Sequence, residues 1–324
     1  MFGYVGGYTL EQKVASLPFT LQLIDKQQNP WTFVRGIRQV RKAVESGGFD
    51  IVHAHLTYDH WLAVFAARNV NVKVIRTFHA IRPLKDPLAT PYLLRSTDGV
   101  ASVNERFASH PYLRRHRTEF TPPPVDHRQF SPEGGDVRAR YGLSGETAVL
   151  GVIGKVSPGR GFEQAFQVFA HVKQQVRTAK MLVIGRGPHR PFLESLTREL
   201  GVANDVVWAG YHEAELAEHY RSMDLMLFTA TGSDEGHRAV SEAMACGTPA
   251  ICYPVPGVEY VVGDLASQLV VAEPRSELLG NLAITLLPDK AAGLRPLCAV
   301  QTSRFAFGPT SDRLRSLYNR VLSI

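Results

Sequence analysis

Short apolar runs alternate with helix-period stretches along nearly the whole chain, and no other feature constrains its fold as tightly. The apolar runs fall at 19–24, 50–53, 72–77, 99–103, 148–153, 180–184, 206–209, 225–228, 249–253 and 268–271. Those at 148–153 (AVLGVI) and 225–228 (LMLF) show no polar residue at alternate positions. A strand with one wet face would show one, so these read as strands buried on both faces. Between them, 31–46, 161–176, 188–200, 213–222 and 236–246 carry apolar residues at helical spacing. Strand–helix alternation of this kind predicts an α/β chain of βαβ units, with parallel sheets covered by helices.

The 324 residues exceed one ordinary core and suit two domains of roughly 100–200 residues each. The densest Pro/Gly punctuation lies at 121–146, with TPPP followed by SPEGGD, and marks the linker. Two Rossmann-like domains follow, 1–130 and 131–308, with a terminal helix at 309–324 that packs back toward the first. The first domain is short. Gly3, Gly6 and Gly7 follow no apolar strand of the kind that precedes a Gly-rich turn in a doubly wound half. The expectation is a first domain without its first βαβ unit and with fewer strands than the second.

Composition matters here mainly for what it excludes. At 44% hydrophobic and 20% charged residues the chain is neither collagen-like, disordered nor a coiled coil. No stretch reaches the ~18 apolar residues of a spanning helix, and the first residues lack a secretory signal pattern. Cys246, Cys252 and Cys298 fit neither a disulfide framework nor a Cys-x-x-Cys site, so a cytoplasmic setting is expected. The net charge of +6 is uneven: residues 1–131 hold 17 Lys and Arg against 10 Asp and Glu, and the remainder is close to neutral. The first part therefore faces something anionic or simply carries a solvated basic face.

Two segments carry the clearest chemistry. In 148–166 (AVLGVIGKVSPGRGFEQAF) a buried strand ends at Gly154, a loop bears Lys155 and Arg160, and a helix starts near Phe162. Such a turn aims free backbone N–H groups at whatever lies beyond the strand, which favours phosphate. In 227–249 (LFTATGSDEGHRAVSEAMACGTP) a strand enters an acidic, Gly-bearing turn and then a helix that stops at Gly247. Asp234 stands in the turn and Glu242 two helical turns on; carboxylates suit sugar hydroxyl pairs. The competing reading pairs Glu242 with Arg238 on an exposed face. His53, His55 and His60 invite a metal, but no Cys or carboxylate cluster completes a site, so none is expected. Helix 31–46 places Val34, Ile37, Val40 and Val44 on one stripe flanked by Arg35, Arg38, Arg41 and Lys42. That stripe packs on its own sheet or, with the basic run 114–117 (RRHR), meets anionic lipid.

The run 236–249 (GHRAVSEAMACGTP) closely resembles the signature helix of the retaining glycosyltransferases of family 4. Other segments match in order: 49–56 (FDIVHAHL), 122–130 (PPPVDHRQF), 154–161 (GKVSPGRG), 182–188 (LVIGRGP) and 207–211 (VWAGY). The similarity runs from about residue 15 to the C-terminus. It implies the GT-B fold, two Rossmann-like domains whose parallel sheets face a cleft, with the acceptor side in 1–130 and the nucleotide sugar in 131–308. It also implies roles. Lys155 and Arg160 neutralise the donor diphosphate, with Lys and Arg exchanged relative to the family's usual order. Gly236 and His237 supply the turn facing the donor phosphates, and Glu242 holds the ribose. The sugar-facing acid falls on Asp234, where the family has Glu, or on Glu235 beside it. His79 matches the cleft histidine.

Sugar transfer must stabilise a departing diphosphate, by a metal or by fixed cations and dipoles. The chain has no Asp-x-Asp to hold a metal, so no cofactor is expected and a metal-independent transferase is the coherent reading. Its acceptor is a glycan or lipid-linked molecule, in cell-envelope polysaccharide or lipopolysaccharide synthesis by the resemblance, with loose attachment to the inner membrane face and no nucleic-acid partner. A GT-B-fold nucleotide-sugar epimerase, or an inactive chain that binds the sugar nucleotide, are the rival readings.

Overall fold

The computed structural model describes residues 2–5, 21–24, 29–231, 237–287 and 289–323. The chain divides into two compact units, 1–121 with 313–324, and 122–312.

In the first unit, strands β1 (Phe2–Val5) and β2 (Leu21–Ile24) form a parallel pair of their own. The sequence pattern showed only the second of them. Helix α1 (Pro30–Gly47) starts at Asn29, whose side chain accepts from the Trp31 and Thr32 amides, while Thr32 returns a bond to the Asn29 backbone. This reciprocal cap and Pro30 fix the helix start, and Gly48 ends it in the left-handed conformation. Next come β3 (Ile51–Ala54), α2 (Thr57–Ala66), β4 (Lys73–Phe78), α3 (Ala89–Leu94), β5 (Gly99–Ser102) and β6 (Thr118–Phe120). The four strands β3-β4-β5-β6 pair in sequence order, all parallel.

The stripe expected on α1 is displaced. Its buried residues are Thr32, Gly36, Ala43 and Val44, whereas Val34 is 42% exposed and Trp31 83%. Small residues let α1 pack closely on α2: a Cβ at Gly36 would lie 3.1 Å from Leu62. Arg41 is no lipid-facing charge either. Its guanidinium donates to the carbonyls of Phe65, Ala66 and Arg68, capping the C-terminal end of α2.

The second unit contains β7 (Val149–Ile153), α4 (Phe162–Gln175), β8 (Lys180–Ile184), α5 (Arg190–Glu199), β9 (Val206–Gly210), α6 (Leu216–Arg221), β10 (Leu225–Phe228), α7 (Arg238–Ala245) and β11 (Ala250–Cys252). Its sheet is parallel with order β11-β10-β7-β8-β9. The strands β7, β8, β10 and β11 are almost entirely buried, as unbroken apolar runs require. Helices α8 (Val258–Val262), α9 (Ala266–Leu269), α10 (Ser276–Leu286) and α11 (Asp289–Thr302) follow. The run 268–271, expected as a strand, is instead the end of α9 and a single bridge from Val270 to Cys252. The last helix, α12 (Phe307–Leu322), belongs with the first unit from Arg313 onward. There Leu317 and Val321 pack with Ile75 and Ala101, and Arg320 pairs with Glu119 at 2.6 Å. Among the described residues no helix is long and apolar enough to cross a membrane.

Candidate active site

The strand order of the second unit reverses between β7 and β10: β8 and β9 lie on one side of this pair and β11 on the other. In open parallel sheets ligands bind at this point, beyond the carboxyl ends of the two strands, because the loops diverge there and leave a crevice. Both chemical segments of the sequence meet at it. The loop after β7 carries Lys155 and Arg160 and leads into α4, and the chain after β10 leads into α7. The Thr229 hydroxyl, just past β10, donates to the Gly161 carbonyl at 2.6 Å and ties the two together.

Glycines make this junction possible. Gly161 precedes α4 at φ 81°, and a Cβ there would lie 2.5 Å from the Thr229 carbonyl carbon. At Gly185 a Cβ would overlap the Gly154 carbonyl oxygen. The loops after β7, β8 and β9 are thereby laced by Gly154 N–H to Ile184 O, Val156 N–H to Arg186 O and Gly185 N–H to Gly210 O. Lys155 projects from this frame exposed, and Arg160 is half-buried. Helix α4 follows directly, and its first-turn amides add positive potential on the same side.

His237 starts α7 in the left-handed conformation, at φ 48°. Its side chain does not face outward. It is buried, with the ring edge-on to Phe228 and Nε2 donating to the Pro256 carbonyl at 3.0 Å. Any part it plays toward phosphate falls to the backbone at the helix start. Glu242, one turn on, is only 5% exposed. Its two oxygens accept from the Tyr220 hydroxyl at 3.1 Å and from Arg238 Nε at 2.7 Å. The Arg238 pair weighed in the sequence therefore exists, but on a buried carboxylate rather than on an exposed face. Burial and the neighbouring Glu242 charge hold the Tyr220 hydroxyl well above its ordinary pKa, so it stays a donor. Asp234, Glu235 and Gly236 lie outside the described residues.

In the first unit His79 stands at the carboxyl end of β4, its Nε2 3.0 Å from His55 Nδ1. The His53 ring stacks on His55 at 4.4 Å, and its nitrogens contact the Tyr318 and Thr77 hydroxyls, each at 2.7 Å. The packed surroundings, His55 and the Arg76 charge pull His79 down to about 4, so the ring is neutral near pH 7. A neutral imidazole offers one donor and one acceptor, and the His55 contact commits Nε2. His60 turns inward and bonds Thr97 at 2.9 Å. Among the described residues no group of three or more His, Cys, Asp or Glu has the arrangement of a metal site. All three cysteines are buried, and burial pushes Cys246 and Cys298 up to about 12, leaving them unreactive thiols.

Sequence reasoning missed Tyr220, Thr229 and Arg76. The first two act on partners 22 and 68 positions away and leave no local pattern. Arg76 did leave one, as a charge in the interior of the run 72–77, whose other charge, Lys73, stands near its start.

Two parallel α/β units, the second with paired loops and helix starts at its switch point, define the GT-B class of fold. Residues 135–297 match the family model of the glycosyl transferases group 1, and residues 8–127 that of Glycosyltransferase Family 4. The chain belongs to the glycosyl transferases group 1 family and is a glycosyltransferase. It is 24% identical to a D-inositol 3-phosphate glycosyltransferase of Mycobacteroides abscessus, over 98% of this chain and 76% of that protein. It is 27% identical to the 2-deoxystreptamine glucosyltransferase of Streptomyces kanamyceticus, over 77% of this chain and 71% of that one. Among solved structures, a Rickettsia africae glycosyltransferase superposes with TM-score 0.82 at 14% identity, covering 98% of this chain and 88% of that chain. Anabaena Alr3699/HepE in complex with UDP-glucose superposes with TM-score 0.79 at 16% identity, covering 99% and 91%.

Proposed function

We propose that the chain transfers a sugar from a nucleoside-diphosphate sugar to an acceptor hydroxyl, with retained anomeric configuration and without a metal. The observation that carries this reading is the Thr229–Gly161 hydrogen bond, which joins the two phosphate-type loops at the sheet's switch point. The donor diphosphate lies against Lys155, Arg160 and the first-turn amides of α4 and α7, which together replace a metal ion. Glu242 takes the ribose hydroxyls, and Asp234 or Glu235 serves the sugar. In the reaction the bond from the anomeric carbon to the diphosphate oxygen breaks and that carbon bonds the acceptor oxygen. The acceptor proton leaves with the diphosphate. The UDP-glucose bound by Anabaena Alr3699/HepE supports a nucleotide-sugar donor.

The first unit receives the acceptor, and neutral His79 hydrogen-bonds a substrate hydroxyl there. The outward Trp31, Val34, Arg38 and Lys42 on α1 support loose attachment to an anionic membrane face, in keeping with a glycan or lipid-linked acceptor of the cell envelope. The test is transfer from UDP-, GDP- and ADP-glucose to D-inositol 3-phosphate and 2-deoxystreptamine in EDTA, with the product anomer read by proton NMR. An α-linked product from an α-linked donor is expected. A β-linked product overturns retention.

A further inference from the structure

Arg76 is the most anomalous side chain in the first unit. It sits in the middle of β4, paired in register with Ala54 and Val100, and is only 2% exposed. Its Nε and Nη1 are buried with no hydrogen-bond partner among the described residues. A buried guanidinium with open donors is costly, and native structures keep such a group where something charged completes it. The carboxylate near it is Asp59, but Asp59 Oδ2 accepts from the His55 and Leu56 amides at 2.9 and 2.8 Å and so serves the start of α2. Of the rings nearby, His60 is occupied by Thr97 and His53 by Tyr318 and Thr77.

The side chain leans toward the carboxyl end of the sheet. Its guanidinium carbon lies 5.0 Å from the ring centre of Phe78, two residues further along β4. Immediately beyond stand His55 and His79, both exposed and bonded to each other, and the start of α2. The first-turn amides of α2 at Thr57 and Tyr58 stand outside the helical ladder, as in any helix. Burial lowers His55 and His79, and the Arg76 charge adds to the lowering of both. One side of this crest therefore presents cation and N–H donors, within the part of the chain that carries the whole basic excess.

We propose that Arg76, the one N–H left free by the bonded His55–His79 pair, and the first-turn amides of α2 form a seat for a phosphoryl group carried by the acceptor. This rests on the reading that the first unit receives the acceptor, and it makes that acceptor a phosphate ester. A planar fork suits such a ligand because it can give two parallel hydrogen bonds to two phosphate oxygens.

The test is thermal unfolding of the full chain titrated with inorganic phosphate against chloride at equal ionic strength. The wild-type chain should be stabilised saturably. Arg76→Met should weaken the apparent phosphate affinity by ~10-fold or more, while its ligand-free unfolding temperature stays level or rises, because an unpaired buried charge is gone. Arg76→Lys, which keeps the charge and loses the fork, should fall between and carries the test if the methionine variant does not fold. UDP-induced stabilisation should be the same in all three; its absence together with an intact phosphate response would overturn the donor reading and leave the seat standing. Vesicles of phosphatidylglycerol and phosphatidylcholine separate the sources. Sedimentation with them that falls in Arg76→Met assigns a lipid headgroup, and sedimentation that is absent or unchanged assigns a soluble phosphate ester; both support the seat. It is overturned by a wild-type chain without saturable phosphate response, or by an Arg76→Met chain that keeps it. A response lost in Lys155→Ala/Arg160→Ala and kept in Arg76→Met also overturns it, because the anion then sits at the donor site.

Discussion

Replacing Lys155 and Arg160 together by alanine should lower kcat/KM for transfer by on the order of 10³, with the larger part in kcat. The asymmetry follows from when the charge develops. In the bound donor the diphosphate charge is shared with the sugar ester, and on departure it concentrates on the leaving oxygens. Fixed cations therefore contribute more to the transition state than to binding. The fold should tolerate both changes, since Lys155 is exposed and Arg160 half-buried on a loop held by backbone bonds from Gly154 and Val156. Circular dichroism and the unfolding temperature should match wild type while UDP-induced stabilisation shrinks. A variant that transfers at the wild-type rate removes the diphosphate assignment.

Glu242→Ala should cost about 3 kcal/mol of stability, read by urea unfolding. The carboxylate is buried at 5% exposure, and its loss leaves the fully buried Tyr220 hydroxyl without its acceptor. That cost alone would not separate a structural role from a ribose-binding one, so Glu242→Gln carries the distinction. The amide keeps the volume and can still accept from Tyr220, so stability should change little. Its acceptor strength toward ribose hydroxyls drops with the charge, and donor affinity should fall about ten-fold. Arg238→Ala, by contrast, removes a partner whose side chain is 69% exposed, and its stability effect should stay under about 1 kcal/mol. Equal donor affinity in wild type and Glu242→Gln would assign the carboxylate to packing alone.

What the sequence displayed and what it hid divide along physical lines. The strands 180–184 and 225–228 coincide with β8 and β10, because a strand buried on both faces is apolar along its buried length, which in β8 begins after the half-buried Lys180. Strand β6 (TEF) went unseen: it lies at the edge of its sheet, and a short polar edge strand has no pattern to show. The run 268–271 failed for a complementary reason, since four apolar residues fit a buried helix end as well as a strand. On α1, counting large apolar residues selected Val34 and missed Gly36, which is buried because its smallness lets Leu62 in. At the site, Lys155, Arg160 and Glu242 were legible because each belongs to a local strand–loop–helix pattern. Tyr220 and Thr229 were not, because only the folded sheet brings them to Glu242 and Gly161.

The most direct test is calorimetric titration of UDP-glucose, GDP-glucose and ADP-glucose into the chain in EDTA. One of the three should bind with one-to-one stoichiometry, unchanged on adding magnesium, and Lys155→Ala/Arg160→Ala should weaken that binding. Binding of all three only when magnesium is present, or of none under either condition, would contradict the account.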